Sequence, residues 1–181
     1  YRIKISVPAF NPKYLQETFD TFGKYVVQQA RTNLTKKKKN VSKKLYDSLG
    51  YKSEPSKSGI SFRFEFFMED YGEYQDKGVS GIKKKYNTPY SYRNKKPPIG
   101  PLDKWIVRRG FKSIRDEQGR FIKRRSLAFA IQNKIYRDGI KPSHFFTRAF
   151  TLGYKRMPQE IRKAFKLDIE EFMKYTLKDI F

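Results

Sequence analysis

At 181 residues the chain suits one domain, or one domain with arms. Its 41 Lys+Arg against 18 Asp+Glu leave a formal charge of +23, which points to DNA or RNA, an anionic membrane surface or an acidic protein as partner. Aromatic residues at 17% argue against a disordered basic tail, the lack of cysteine excludes disulfides, thiolate zinc sites and cysteine nucleophiles, and no apolar run reaches the roughly 20 residues that span a bilayer.

Tyr1-Arg2-Ile3-Lys4 opens without an initiator Met or an apolar signal core, and the expectation is a trimmed or processed chain, or part of a longer one. Residues 1–10 read as an N-terminal arm, strand-like over Arg2–Val7. Asn11-Pro12 is a helix start, with Asn as N-cap and Pro at the first helical position. Leu15, Phe19, Phe22, Val26, Ala30 and Leu34 follow at spacings of three and four, which predicts an amphipathic helix from residue 12 to about 36. Lys36-Lys37-Lys38-Lys39 closes it, either as a solvated end that complements the helix dipole or as an interaction patch.

Val41–Leu49 reads as a short helix ended by Gly50. Strict alternation over Ile60-Ser61-Phe62-Arg63-Phe64-Glu65-Phe66 predicts a strand, with Tyr51-Lys52-Ser53 as a pairing strand before it. Asp70–Gly78 is a helical turn stopped by Gly78. The segment 81–100 then shows neither helical nor strand periodicity, carries no acid, and is rich in Lys, Tyr and Pro. A long loop of this kind inside a compact domain is usually functional.

Pro101 opens a helix with Leu102, Trp105, Ile106 and Val107, ended by Gly110, and a small hairpin is expected around Asp116–Gly119. Ser126 caps a helix with Leu127, Ile131 and Ile135 on one face and Gly139 as its stop. Phe145, Phe146, Ala149 and Phe150 form a compact aromatic segment. Pro158 starts a C-terminal helix over 157–181, its stripe being Ile161, Phe165, Ile169, Phe172 and Ile180. The expected fold is a single small α+β domain over 1–181: a long N-terminal amphipathic helix, a short antiparallel sheet, further helices and an extended basic loop.

Nothing in the chain assembles into a catalytic motif. His144 has no second His, Cys or acid at ligand spacing, so no metal site is expected on it. Glu65, Glu69, Asp70, Glu73 and Asp76 are the densest carboxylates, but they lack the acid-x-Lys strand pattern of metal-dependent nucleases and read as neutralising a basic surface. Gly78-Val79-Ser80-Gly81 lacks the Lys-Ser/Thr of a phosphate loop, and there is no nucleophile elbow. The expectation is a non-enzyme with no catalytic residue, metal or cofactor. No zinc finger, basic zipper or RNA-recognition signature is present either. Lysines interleaved with tyrosines suit phosphate attraction and base stacking, and equally suit protein interfaces.

Several short segments occur in a telling order. Leu45-Tyr46-Asp47-Ser48 ends the first helical region, and an aromatic strand precedes Tyr71-Gly72-Glu73-Tyr74-Gln75-Asp76-Lys77-Gly78. After the Pro/Lys loop comes Lys141-Pro142-Ser143-His144-Phe145-Phe146-Thr147-Arg148-Ala149. Over residues 12 to 155 in outline this resembles the tail-completion (head–tail joining, or neck) proteins of tailed bacteriophages. Their pattern has Leu-x-x-Ser, then a Tyr-Ala-x-Tyr-x-Glu-x-Gly strand end, then Lys-Pro-x-x-Phe-Phe-x-x-Ala. Gly72 departs from the usual Ala, Asp76-Lys77-Gly78 from the usual ending, and the insert from Leu102 to Arg125 is larger than typical.

The resemblance implies a structural virion protein, assembled in the host cytoplasm and placed in the phage neck. There a homo-oligomeric ring would join portal and tail proteins around DNA held non-specifically in a channel, without membrane insertion. In that setting Lys83, Lys84, Lys85, Tyr86, Tyr90, Tyr92, Arg93, Lys95 and Lys96 are the expected inter-subunit or partner contacts, with the arm 1–10 beside them. Lys36, Lys37, Lys38, Lys39, Arg108, Arg109, Arg124 and Arg125 are the expected patch facing DNA or an acidic partner. The alternative is a basic nucleic-acid-binding protein of packaging or ribonucleoprotein type.

Overall fold

The computed structural model describes residues 12–55, 62–111 and 114–178. Asn11, the arm 1–10, Ile60, Ser61 and Ile180 lie outside them. Among the described residues the order is α1 (Lys13–Lys36), α2 (Lys44–Ser48), β1 (Gly50–Pro55), β2 (Phe62–Phe67), α3 (Tyr71–Lys77), α4 (Ile99–Arg108), α5 (Arg124–Asp138), α6 (Phe145–Tyr154) and α7 (Met157–Lys178). β1 and β2 form a two-stranded antiparallel sheet, so the fold is α+β with a long N-terminal helix. Two compact units share the chain. One holds α1 up to Ala30, the hairpin and the residues from Phe146 onward; the other holds Arg31–Ser48 and Met68–Phe145.

The first unit is an aromatic core. Leu15, Phe22, Val26 and Ala30 of α1 are buried, as the stripe predicts. The register sets Tyr51 opposite Phe66 and Ser53 opposite Phe64, so Tyr51, Phe64 and Phe66 share one face of the hairpin. The Phe22 ring meets that face at 5.6 Å from Phe64 and 5.9 Å from Phe66. From α6, Phe146 and Phe150 approach Phe66 at 5.2 and 6.0 Å. Most of these pairs are edge-on or tilted, the arrangement that adds about 0.5–1.5 kcal/mol per pair beyond burial. On the other face Arg63 and Glu65 pair at 2.7 Å in solvent, which adds little.

α7 corrects the expected stripe. Its inward line is Met157, Ala164 and Asp168, with Ile161 and Phe172 half-buried, whereas Phe165 and Ile169 are exposed. The cause is Asp168, only 3% exposed. Its Oδ1 accepts the Tyr14 N–H and its Oδ2 the Leu15 N–H, each at 2.9 Å. Those amides belong to the first turn of α1, which has no intrahelical acceptor for them, and a carboxylate there also complements the helix dipole. The cap turns the helix so that an acid, rather than two of the apolar residues, faces inward.

In the second unit Ile106 of α4 and Ala128 of α5 are fully buried where these helices pack together. α4 begins at Ile99 after Pro98, two residues before the expected Pro101. α5 begins at Arg124, ahead of Ser126, and ends as expected at Gly139, whose N–H reaches the Ile135 carbonyl. The Tyr71–Lys77 segment is a helix, α3, rather than the strand end of the neck-protein pattern, and Gly78 (φ +76°) stops it. The expected small hairpin is present in short form: an antiparallel bridge joins Arg115 to Phe121, and backbone hydrogen bonds link Asp116 to Arg120 and Ile122 to Ile114.

Candidate nucleic-acid and partner interface

The basic loop is irregular, as its sequence predicts, but it is fastened to its own unit. Its first limb docks on the C-terminal end of α5. Val79 and Ile140 exchange both backbone hydrogen bonds, and the Ile82 and Lys83 N–H groups reach the carbonyls of Tyr136 and Arg137. These carbonyls belong to the last turn of α5, where intrahelical donors run out. The two backbones come so close that a Cβ on Gly139 (φ +74°) would sit 2.2 Å from the Val79 carbonyl oxygen, and one on Gly81 2.3 Å from that of Arg137. Lys83 and Lys84 therefore stand beside the negative end of a helix, which favours cations independently of any partner.

Ser80 pins the turn of the loop. Its hydroxyl donates to the Tyr86 carbonyl at 3.1 Å and accepts the Tyr86 N–H at 2.9 Å. Its backbone meanwhile pairs with Tyr90 and Tyr92, each at 2.8 Å. The Thr88 hydroxyl donates to the Gly78 carbonyl at 3.0 Å. The returning limb follows α5: the Tyr136 hydroxyl donates to the Arg93 carbonyl, Gln132 to the Pro97 carbonyl, and the Lys96 ammonium to Asn133 Oδ1 at 2.8 Å. The result is a compact loop held by its own groups and by α5, with Lys83, Lys84, Arg93 and Lys95 exposed.

Between α3 and this loop lies a cavity of about 590 Å³. Tyr71, Tyr74 and Gln75 line it from α3, and Tyr90, Tyr92 and Arg93 from the loop. Tyr74 and Tyr90 meet edge to face at 4.6 Å. Hydrogen bonds from Lys77 first, and then from Tyr90, hold the Glu73 carboxyl below its ordinary value. The same bond to Glu73, with some desolvation, pushes the Tyr90 phenol up, while burial alone pushes Tyr92 up. The Gln75 Oε1 is buried and has no hydrogen-bond partner.

The second expected patch is assembled in part. Arg109 donates to the Lys38 carbonyl and lies over the Trp105 ring at 5.7 Å. The Lys37 ammonium donates to the Ser143 carbonyl. Burial first, then Arg109 and Lys37, pulls the Lys39 ammonium below the ordinary lysine value. Lys37, Lys38, Lys39 and Arg109 are thus one cationic cluster at the end of α1. Arg124 instead pairs with Asp103 of α4 at 2.7 Å, and Arg125 lies over the Phe129 ring at 5.9 Å. Lys36 and Arg108 are exposed.

Asp76 is buried on α3, and its backbone carbonyl accepts the Ser143 and His144 N–H groups at 3.1 and 2.9 Å. His144, with φ +49°, stands just before α6. Among the described residues no group of three His, Cys, Asp or Glu is placed to hold a metal ion, and no helix is long and apolar enough to cross a membrane. Tyr90, Tyr92 and Arg93 are expected contact residues from the sequence, whereas Tyr71, Tyr74 and Gln75 enter there only within the Tyr71–Gly78 segment; the Tyr-x-x-Tyr spacing on a helix is the signal that places both rings on one side. Comparison with protein-family models, curated proteins and solved structures returns no match.

Proposed function

We propose that the chain is a structural protein of a phage neck, one subunit of a closed ring that joins portal to tail around the DNA channel. It acts without catalysis, in the virion, after assembly in the host cytoplasm. The observation that carries the reading is that a charge of +23 coexists with large apolar side chains left exposed on both units. Phe121 is 62% exposed in the second unit and Tyr154 58% in the first, with Ile169 and Met173 also exposed. Such surfaces suit neighbouring subunits, and head-to-tail contacts between them that close produce rings. The cationic cluster at the end of α1 and the exposed lysines of the loop suit phosphates or acidic portal and tail proteins. The order of segments that resembles neck proteins favours the same reading, although Tyr71–Lys77 is a helix here instead of a strand end.

Native mass spectrometry of the purified chain tests it. A discrete closed oligomer, alone or on addition of a portal protein, is expected; a monomer under both conditions contradicts it. A basic nucleic-acid-binding protein of packaging or ribonucleoprotein type is the second reading, favoured by tyrosines and cations gathered on the loop 81–100.

A further inference from the structure

We infer that the tyrosine-lined cavity of the second unit is a binding site for one unpaired nucleotide of a single-stranded nucleic acid, its base among the tyrosines and its phosphate at Arg93. The inference is independent of the neck reading and deepens the second one.

Size comes first. About 590 Å³ falls within the range of roughly 300–1,000 Å³ in which small-molecule sites lie. Chemistry comes next. Tyr71 and Tyr74 project from successive turns of a helix, while Tyr90 and Tyr92 come from a loop pinned by Ser80, so rings converge from two independently held backbones. The Tyr74–Tyr90 pair is edge-to-face, so these two rings are not stacked on one another. Base–aromatic stacking of this kind tolerates any base, because every base has a π-face.

A planar hydrocarbon would satisfy the rings but not the amide of Gln75 or the tyrosine hydroxyls that line the same cavity. Base amino, imide and carbonyl groups can hydrogen-bond with such groups. Charge then sets the sign of the ligand. Arg93 lines the cavity, and the loop that bears it has no acidic residue between 81 and 100. Glu73, the carboxylate bonded to Tyr90, is already matched by Lys77 at 2.7 Å. Tyrosine cages also take quaternary ammonium groups, but a cationic guest here would meet Arg93 and an excess of lysines. A duplex keeps its bases stacked inside, so the guest must be unpaired.

The test uses the full chain with a labelled short oligothymidylate and a duplex of equal length, over a salt series. Iodouracil-substituted oligonucleotide is cross-linked to the wild-type protein in parallel. Y71A should weaken oligothymidylate binding by roughly 5- to 100-fold, the equivalent of one lost stacking contact, while Y71F keeps it. R93Q should weaken it and lower the salt slope by about 0.7. Duplex binding should be unchanged by Y71A, and the cross-links should map to Tyr71–Gln75 or Tyr90–Arg93. The inference is overturned if oligothymidylate binds but Y71A and R93Q leave it unaltered, since charge alone is then responsible. It is equally overturned if the wild-type cross-links lie elsewhere. Absence of any nucleic-acid binding would sink both this site and the second reading, and would leave the ring proposal standing.

Discussion

Ser80 shows how much one buried hydroxyl can organise. It satisfies both the N–H and the carbonyl of Tyr86, two groups that a turn would otherwise leave unmatched (4% of Ser80 is exposed). Ser80→Ala should lower stability by about 1–3 kcal/mol, read from the urea midpoint, with faster hydrogen exchange at the Tyr86 amide. Asp168 is the corresponding residue of the first unit. Asp168→Asn keeps the volume but replaces one accepting oxygen by a donor that faces an N–H, so a loss of about 1.5–3 kcal/mol is expected in the same measurement. At Glu73 the handle is pH. Its carboxyl is held below the ordinary value, so its contribution is complete above the ordinary carboxylate range and is lost as pH falls through the lowered value. Stability measured from neutral to acid pH should therefore decline less in Glu73→Gln than in the wild type; parallel declines would contradict the account.

At the scale of elements, what was legible in the sequence depended on whether its determinants were local. α1 reads correctly from its three-and-four spacing because the stripe and the buried line coincide at Leu15, Phe22, Val26 and Ala30. The β1–β2 pair reads correctly because alternation needs only its own residues. α7 does not, because the inward place of Asp168 is set by amides some 150 residues earlier in the chain, which no periodicity records. The basic loop is half legible. Its composition signals a contact surface, but its anchoring to α5 comes from backbone groups whose residue types carry no message. The clearest trace of that anchoring is the pair Gly81 and Gly139, where two backbone segments touch without room for a Cβ. Gly139→Ala combines a positive φ with that collision, and a loss of at least about 1–3 kcal/mol is expected from the conformation alone. Hydrogen exchange at Ile82 and Lys83 checks it: both amides should lose protection together, whereas protection at the centre of α1 should change less.

At the scale of the molecule, a cationic chain displays exposed large apolar side chains on both of its units. The candidate site follows the same division between local and distant causes. Tyr90, Tyr92 and Arg93 stand out in the sequence by composition, whereas Tyr71, Tyr74 and Gln75 join them only because α3 packs beside the loop. The central claim is the place of this chain in a particle. It is tested most directly by electron microscopy of virions labelled with an antibody against the chain. Label confined to the head–tail junction, with rotationally symmetric density there, is the predicted result; label on the capsid or tail tip, or none on particles, would contradict it.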